Sequence, residues 1–294
     1  MALDARDQTA RRIFMIIDCH CHAGRGDLMT APWNTDAPLS AYLRRARRAG
    51  IGHTVVFTAF HSDYGSGNRE VARVVAAHPG RLTGFAMVHC GRDAGRIDEM
   101  VGEAVRRWGF RGIKVHGHDQ MPTRELCETA KKYRVPLLVD VVGRAHVMDM
   151  LAPQYPGVTF IIPHLGSFAD SFRAHQEVIH QLARYPNVYA DTSGVRRFDY
   201  LVEAVRRAGA RKILFGSDGP WLHPGLELQK IKLLGLPPAD EALILGGNAR
   251  RLIFREPLLR RSFNRPRRRV ERFDASERGV KASCRIPRND RGPS

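Results

Sequence analysis

Eight short, almost continuously apolar runs punctuate this sequence, and most of the text between them is written at helical spacing. The runs are Ile13 to Ile17, Val55 to Phe57, Phe85 to Val88, Gly112 to His116, Val135 to Asp140, Val158 to Ile162, Val188 to Asp191 and Ile213 to Asp218. Each is too short for a buried helix and reads as a strand. Continuous rather than alternating apolarity means a strand covered on both faces, as in a parallel sheet with helices packed over it. The body, roughly Ile13 to Phe254, matches the roughly 250 residues of a (β/α)8 barrel. The fold class predicted is therefore α/β, a (β/α)8 TIM barrel. A doubly wound open sheet would give a similar text, but its Gly-rich dinucleotide fingerprint is missing after the first strand.

The segments between strands supply the helices. One starts near Pro38, buries Leu39, Tyr42, Leu43 and Ala46, wets Arg44, Arg45, Arg47 and Arg48, and stops at Gly50. Asn68 is expected to cap the next, which Pro79-Gly80 ends. A third carries Ile97, Val101, Ala104, Val105 and Trp108 on its core face. A later one, after Asp170, turns Phe172, Val178, Ile179 and Leu182 inward and leaves His175 and His180 on the surface.

Three segments are expected: a polar extension over residues 1–12, the barrel over 13–254, and a basic tail over 255–294. The formal net charge of +17 invites a nucleic-acid reading. However, roughly half of the excess lies after Phe254, in a segment with few apolar residues that includes Arg265-Pro266-Arg267-Arg268-Arg269. No aromatic-interleaved basic patch accompanies it, so no specific nucleic-acid partner is expected. Met15 could serve as an alternative start. Five cysteines, an odd number without framework spacing, point to a reducing, cytoplasmic setting. No run approaches the roughly 20 apolar residues of a membrane span, so no membrane partner is expected.

In a barrel of this kind the working residues sit at the C-terminal strand ends. Ligand-capable residues fall there repeatedly: His20 and His22, then Lys114, His116 and His118, then Asp140, His164, Asp191 and Asp218. A core needs none of them. Alternation along the first strand predicts Asp18, His20 and His22 on one face and Cys19 and Cys21 on the other. Two imidazoles side by side can grip a divalent metal, and the alternation argues against a mixed Cys/His knuckle.

Asp18-x-His20-x-His22, His164-Leu165-Gly166 and Phe215-Gly216-Ser217-Asp218-Gly219-Pro220, in that order, resemble the amidohydrolase superfamily. The branch is that of the amidohydrolase-related metal-dependent hydrolases, which includes the aminocarboxymuconate semialdehyde decarboxylase type. The resemblance covers the body and implies a metallo-dependent hydrolase barrel. It implies His20 and His22 as metal ligands. It makes His164 a ligand or a holder of water or substrate, and Asp218 a metal contact and proton shuttle. Asp18 would orient the histidines from one layer deeper.

One departure stands out. The family usually ends strand five in histidine, and this chain has Asp140. Asp140 either ligates directly, giving two histidines and two carboxylates around one divalent ion such as zinc, manganese or iron. Or it pairs with a base such as Arg144 while His116 supplies a nitrogen. Or the site binds metal poorly and the barrel is silent. Lys114, by comparison with the carboxylated lysine of two-metal relatives, is expected in an internal salt bridge instead.

The expected activity is hydrolysis of an amide, ester or lactone bond of a small carboxylated substrate by a metal-activated water. Asp218 would move the proton, and His164 or His116 would stabilise the oxyanion. Arg25 would bind a substrate carboxylate, and Trp221 and His223 would line the pocket. The same constellation can decarboxylate an unsaturated or aromatic acid. A small molecule is the expected partner, and a homodimer is compatible with this reading.

Overall fold

The computed structural model describes residues 15–26, 37–168 and 171–256. The extension over 1–12, most of the loop after the first strand and the tail beyond residue 256 lie outside the described residues. So does Asp170. The chain divides into the units Met1–Leu259 and Arg260–Ser294, the second wholly outside them.

The strands are β1 (Ile16–Ala23), β2 (Ile51–Thr58), β3 (Leu82–Gly84), β4 (Ala86–Met87), β5 (Ile113–His116), β6 (Leu137–Asp140), β7 (Phe160–Ile162), β8 (Val188–Asp191) and β9 (Ile213–Leu214). Every paired neighbour is parallel, in the orders β1-β2-β3 and β4-β5-β6-β7-β8-β9. β3 and β4 are two halves of one stave. Between them, Phe85 N–H donates to Val56 O on the β2 side (2.9 Å), and Ala86 N–H donates to Gly112 O on the β5 side (3.0 Å). The other seam is closed by the segment that follows β9. Cys19 N–H donates to Phe215 O (2.9 Å), Asp218 N–H to His20 O (2.8 Å) and His22 N–H to Gly219 O (2.6 Å). The eight expected staves form a barrel.

Around it run α1 (Leu39–Arg48), α2 (Tyr64–Ala76), α3 (Ile97–Arg107), α4 (Arg124–Tyr133), α5 (Val147–Gln154), α6 (Phe172–Arg184), α7 (Phe198–Ala208) and α8 (Pro224–Leu233). α9 (Pro238–Ala242) continues through wider helical turns to Phe254. None of the described helices is long and apolar enough to cross a membrane.

The apolar core has two parts. Ile17, Cys19, Val55, Phe57, Phe85, Leu138, Ile161, Tyr189 and Leu214 fill the barrel lumen, and Ala249 and Ile253 of the last helix close its floor. A larger set, including Val56, Val115, Val139, Ile162 and Phe215, packs between the strands and the helices. Each strand thus buries both faces, as its continuous apolarity requires. Burying one such side chain fully contributes about 1.5–3 kcal/mol.

Several local expectations are corrected. The first strand reaches beyond its apolar run: β1 runs to Ala23 and carries His20 and His22 inside the ladder. Strict alternation also fails there. Asp18 pairs with Thr54 but Cys21 with Val56, so β1 holds one extra residue between them, a bulge. Cys19 consequently faces the lumen, and Asp18 faces outward toward Tyr42 of α1. Asn68 is not a cap. Asp63 caps α2, accepting from Gly65 N–H (2.9 Å), and Asn68 sits inside the helix bonded to both Met87 N and O. α6 is capped by Ser171. His175 is buried rather than exposed, with Nδ1 3.0 Å from Leu165 O. It lies one helical turn from Val178 and Ile179, so spacing rather than polarity decides its face.

Candidate metal centre

The ends of β1, β5, β6, β7, β8 and the segment after β9 converge on one buried group of polar side chains. His20 and His22 come from β1, and the bulge turns both into the lumen. Phe57 lies beside each ring, 5.1 Å from His20 and 4.6 Å from His22 by centroid. Asp218 arrives from the segment after β9, which lies directly beside β1, in the left-handed region at φ 54°. That conformation is costly for an aspartate and is held by the pairing of Asp218 N–H with His20 O. Its Oδ1 then lies 3.4 Å from His20 Nε2 and 3.5 Å from His22 Nε2. One ligand atom from each of these three residues falls within 4.8 Å of the others, the one such group found among the described residues.

The protonation pattern suits a cation. His20 Nδ1 faces Asp191 Oδ2 at 2.8 Å, and His22 Nδ1 faces Thr58 O at 3.0 Å. Each ring therefore carries its proton on Nδ1 and aims an Nε2 lone pair into the site. Burial pushes His20 down to about 4, against the pull of Asp191, and His22 well below the ordinary imidazole range. Both are neutral donors at pH 7. Burial raises Asp218 to about 7. Two imidazole nitrogens and a carboxylate oxygen are a donor set for zinc, manganese or iron, so the residues present fit a divalent ion.

His164 stands across the site, also at a left-handed φ of 57°. Its Nδ1 faces Ser193 O at 2.8 Å, its ring centroid is 5.0 Å from that of His20, and its Nε2 lies 3.5 Å from Asp140 Oδ2. Asp140 does not join the three-ligand group. Its strand register sets it directly beside His116, whose Nε2 lies 3.0 Å from Asp140 Oδ2. Asp140 Oδ1 accepts from Val142 N–H at 2.9 Å. Burial opposes the charge on Asp140, but His116 and His164 outweigh it and hold the carboxyl well below its usual range. In this structure Asp140 is a partner of two histidines and stands outside the three-residue group. Nor does Asp140 pair with Arg144, whose guanidinium donates to Gly117 O. His116 is occupied at both nitrogens, since its Nδ1 accepts from His118 N–H at 3.2 Å.

Of the residues expected to meet substrate, Trp221 is at the mouth, 4.4 Å from His22 by centroid. His223 instead serves the helix that follows, where its Nδ1 accepts from Gly225 N–H (3.2 Å) and caps α8. Arg25 is exposed, and its backbone N–H donates to Glu70 (3.3 Å). Phe60 and Phe168 add two rings, one edge-on to His116 at 4.7 Å and one edge-on to His164 at 5.1 Å.

Sequence reasoning left Asp191 and Ser193 without roles. Asp191 holds His20 and also accepts His164 N–H at 3.1 Å, and Ser193 Oγ donates to Asp191 Oδ1 at 2.6 Å. The burial and charge of Asp191 at a strand end were the available signal. Asp18 ties the barrel seam from outside: Oδ1 accepts His20 N–H (3.1 Å) and Ser217 N–H (2.9 Å), and Oδ2 accepts the hydroxyls of Tyr42 and Ser217. Gly216 permits the approach, since a Cβ there would meet His20 Cβ at 3.0 Å and Asp191 Cγ at 3.1 Å.

Solved structures repeat this fold. An amidohydrolase from Burkholderia multivorans with bound zinc superposes with a TM-score of 0.69 at 16% identity, covering 82% of this chain and 99% of that one. A protein from Pseudomonas putida assigned as a 2-pyrone-4,6-dicarboxylic acid hydrolase gives 0.64 at 25% identity, covering 83% and 99%. A dihydroxybenzoic acid decarboxylase from Polaromonas, with bound manganese and the inhibitor 2-nitroresorcinol, gives 0.61 at 18% identity, covering 82% and 97%. No curated protein sequence matches the chain. The sequence model of the amidohydrolase family matches residues 17–255, which takes in every strand but the first residue of β1, and the chain belongs to that family.

Proposed function

We propose that this protein is a metal-dependent hydrolase that opens an amide, ester or lactone bond of a small carboxylated substrate. His20, His22 and Asp218 hold one divalent ion, with zinc the first choice and manganese or iron the alternatives. The observation that carries the reading is the convergence of two Nδ1-anchored imidazoles on the carboxylate of Asp218. A bound ion supplies Lewis acidity, which acidifies water and polarises a carbonyl. Asp218 is the carboxylate that lies against the ion position, placed to take a proton from water and return it to the leaving group. His164, with Nδ1 anchored on Ser193 O, turns its Nε2 lone pair to the same space, where it can accept from a water or substrate hydroxyl and orient it. Trp221 and Phe168 wall the entrance and limit water. The 25% identity to the Pseudomonas protein supports the hydrolytic reading.

A second reading, decarboxylation of an unsaturated or aromatic acid, is favoured by the rings of Phe60, Phe168 and Trp221 around the histidines. Planar substrates stack against such walls. Ion-loaded protein incubated with lactones, esters and aromatic carboxylic acids separates the two: acid release supports hydrolysis, and carbon dioxide supports decarboxylation. No turnover in any class, with the ion bound, overturns both.

A further inference from the structure

Below the ligand tips lies a charge that the proposed chemistry does not use. Lys114 of β5 is 0% exposed. Its neighbours Ile113 and Val115 pack toward the helices, so Lys114 points into the lumen one layer beneath His116. Its Nζ lies 5.2 Å from the centroid of Phe57 and donates no hydrogen bond among the described residues. The salt bridge expected from the sequence is therefore not formed. A buried ammonium without a partner is costly, so its retention needs a reason.

Burial lowers the pKa of the Lys114 ammonium below the ordinary lysine range, and the carboxylates of Asp140, Asp191 and Asp218 pull the other way and favour the charged form. All three carboxylates are buried. They come from three different strand ends and surround the same site. Asp18 is a separate matter, since it faces outward and is bonded to Tyr42 and Ser217. Three carboxylates and one ammonium leave two negative charges in a closed, low-dielectric space. One divalent ion cancels them. A second ion would bury two uncancelled positive charges, which is prohibitive.

We infer that Lys114 is the internal cation of this site: it restricts the centre to a single divalent ion and holds that ion's affinity down by repulsion. The inference rests on the reading of His20, His22 and Asp218 as ligands. Lys114 acts through the field and not by touching substrate, so it is a positioning residue in the electrostatic sense.

The sign of the effect on binding tests this. Wild type, Lys114→Met and Lys114→Gln are each titrated with zinc and with manganese by calorimetry, with melting followed with and without the ion. Wild type should take one equivalent. Both variants should bind the same ion at least tenfold more tightly and gain more in melting temperature on its addition. A merely structural lysine would do the opposite, because a disturbed site binds more weakly. Unchanged or weaker binding in the variants overturns the inference, and so do two equivalents in wild type. Variants that fold only with the ion support it, and variants that do not fold even then overturn it. Wild type that takes up no ion removes the proposed centre itself. One equivalent in wild type without tightening in the variants removes only the role of Lys114.

Discussion

Asp191 Oδ2 stands 2.8 Å from His20 Nδ1, although 171 residues separate the two in sequence. Burial alone would raise the carboxyl, but His20 draws it down to about 2, so Asp191 is charged at every working pH. The pair fixes which nitrogen of His20 carries the proton and which one faces the site. Asp191→Asn keeps the size of the side chain and removes its charge. Affinity for zinc should fall by about 10–100-fold while the melting profile stays cooperative. Chelator competition reads this, and an unchanged affinity would show that His20 does not depend on Asp191 for its orientation.

The carboxyl of Asp218 gives the pH dependence. Its value is raised to about 7, so below that pH an entering ion must displace a proton. Affinity should therefore fall by about tenfold per pH unit below 7 and level off above it, as far as Asp218 is concerned. His20 and His22 are already neutral over this range and add nothing to the slope. Calorimetry in two buffers of different ionisation enthalpy should report about one proton released per ion near pH 6 and about none near pH 8.5. A constant proton count between these values would exclude Asp218 from the ligand set.

The seam between β1 and the segment after β9 depends on Asp18. Removing it leaves the hydroxyls of Tyr42 and Ser217 and two backbone N–H groups without their acceptor. Asp18→Ala should cost about 3–5 kcal/mol in urea unfolding. Tyr42→Phe removes one donor from the network and should cost about 1–2 kcal/mol. If Asp18→Ala unfolds at the same urea concentration as wild type, the clasp contributes nothing to closure.

Asp140 and His22 should separate cleanly in metal content. Asp140 touches His116 and His164 but not the three-ligand group, so Asp140→Ala should retain its ion with affinity lowered by less than about tenfold, a field effect. His22→Ala loses a donor atom and should lose more than about 100-fold. Elemental analysis after dialysis checks both. Complete loss of the ion from Asp140→Ala would restore it as a ligand.

Residue order alone was enough for the barrel and for the end of it where the polar side chains gather. Continuous apolar runs demand strands buried on both faces, and eight of them alternating with helical spacing leave little else to build. The polar residues at their C-terminal ends could only be collected at one mouth, which is why His20, His22, His164 and Asp218 were legible. What the text could not carry was anything fixed by one residue of register or by a distant partner. The bulge between Asp18 and Cys21 re-aims Cys19 and Asp18, and no local pattern announces an extra residue in a ladder. Asp140 reads as a ligand because it ends a strand beside histidines. Only the pairing of His116 with Asp140 across β5 and β6 assigns it to another partner. The position of His223 after the last strand suggests a pocket residue, whereas in the structure its side chain caps the start of α8. Lys114 reads as one arm of an internal salt bridge, but its lack of a hydrogen-bond partner among the described residues depends on all the strands around it. Periodicity is a property of neighbours along the chain, whereas the direction and company of a side chain are set by closure of the ring.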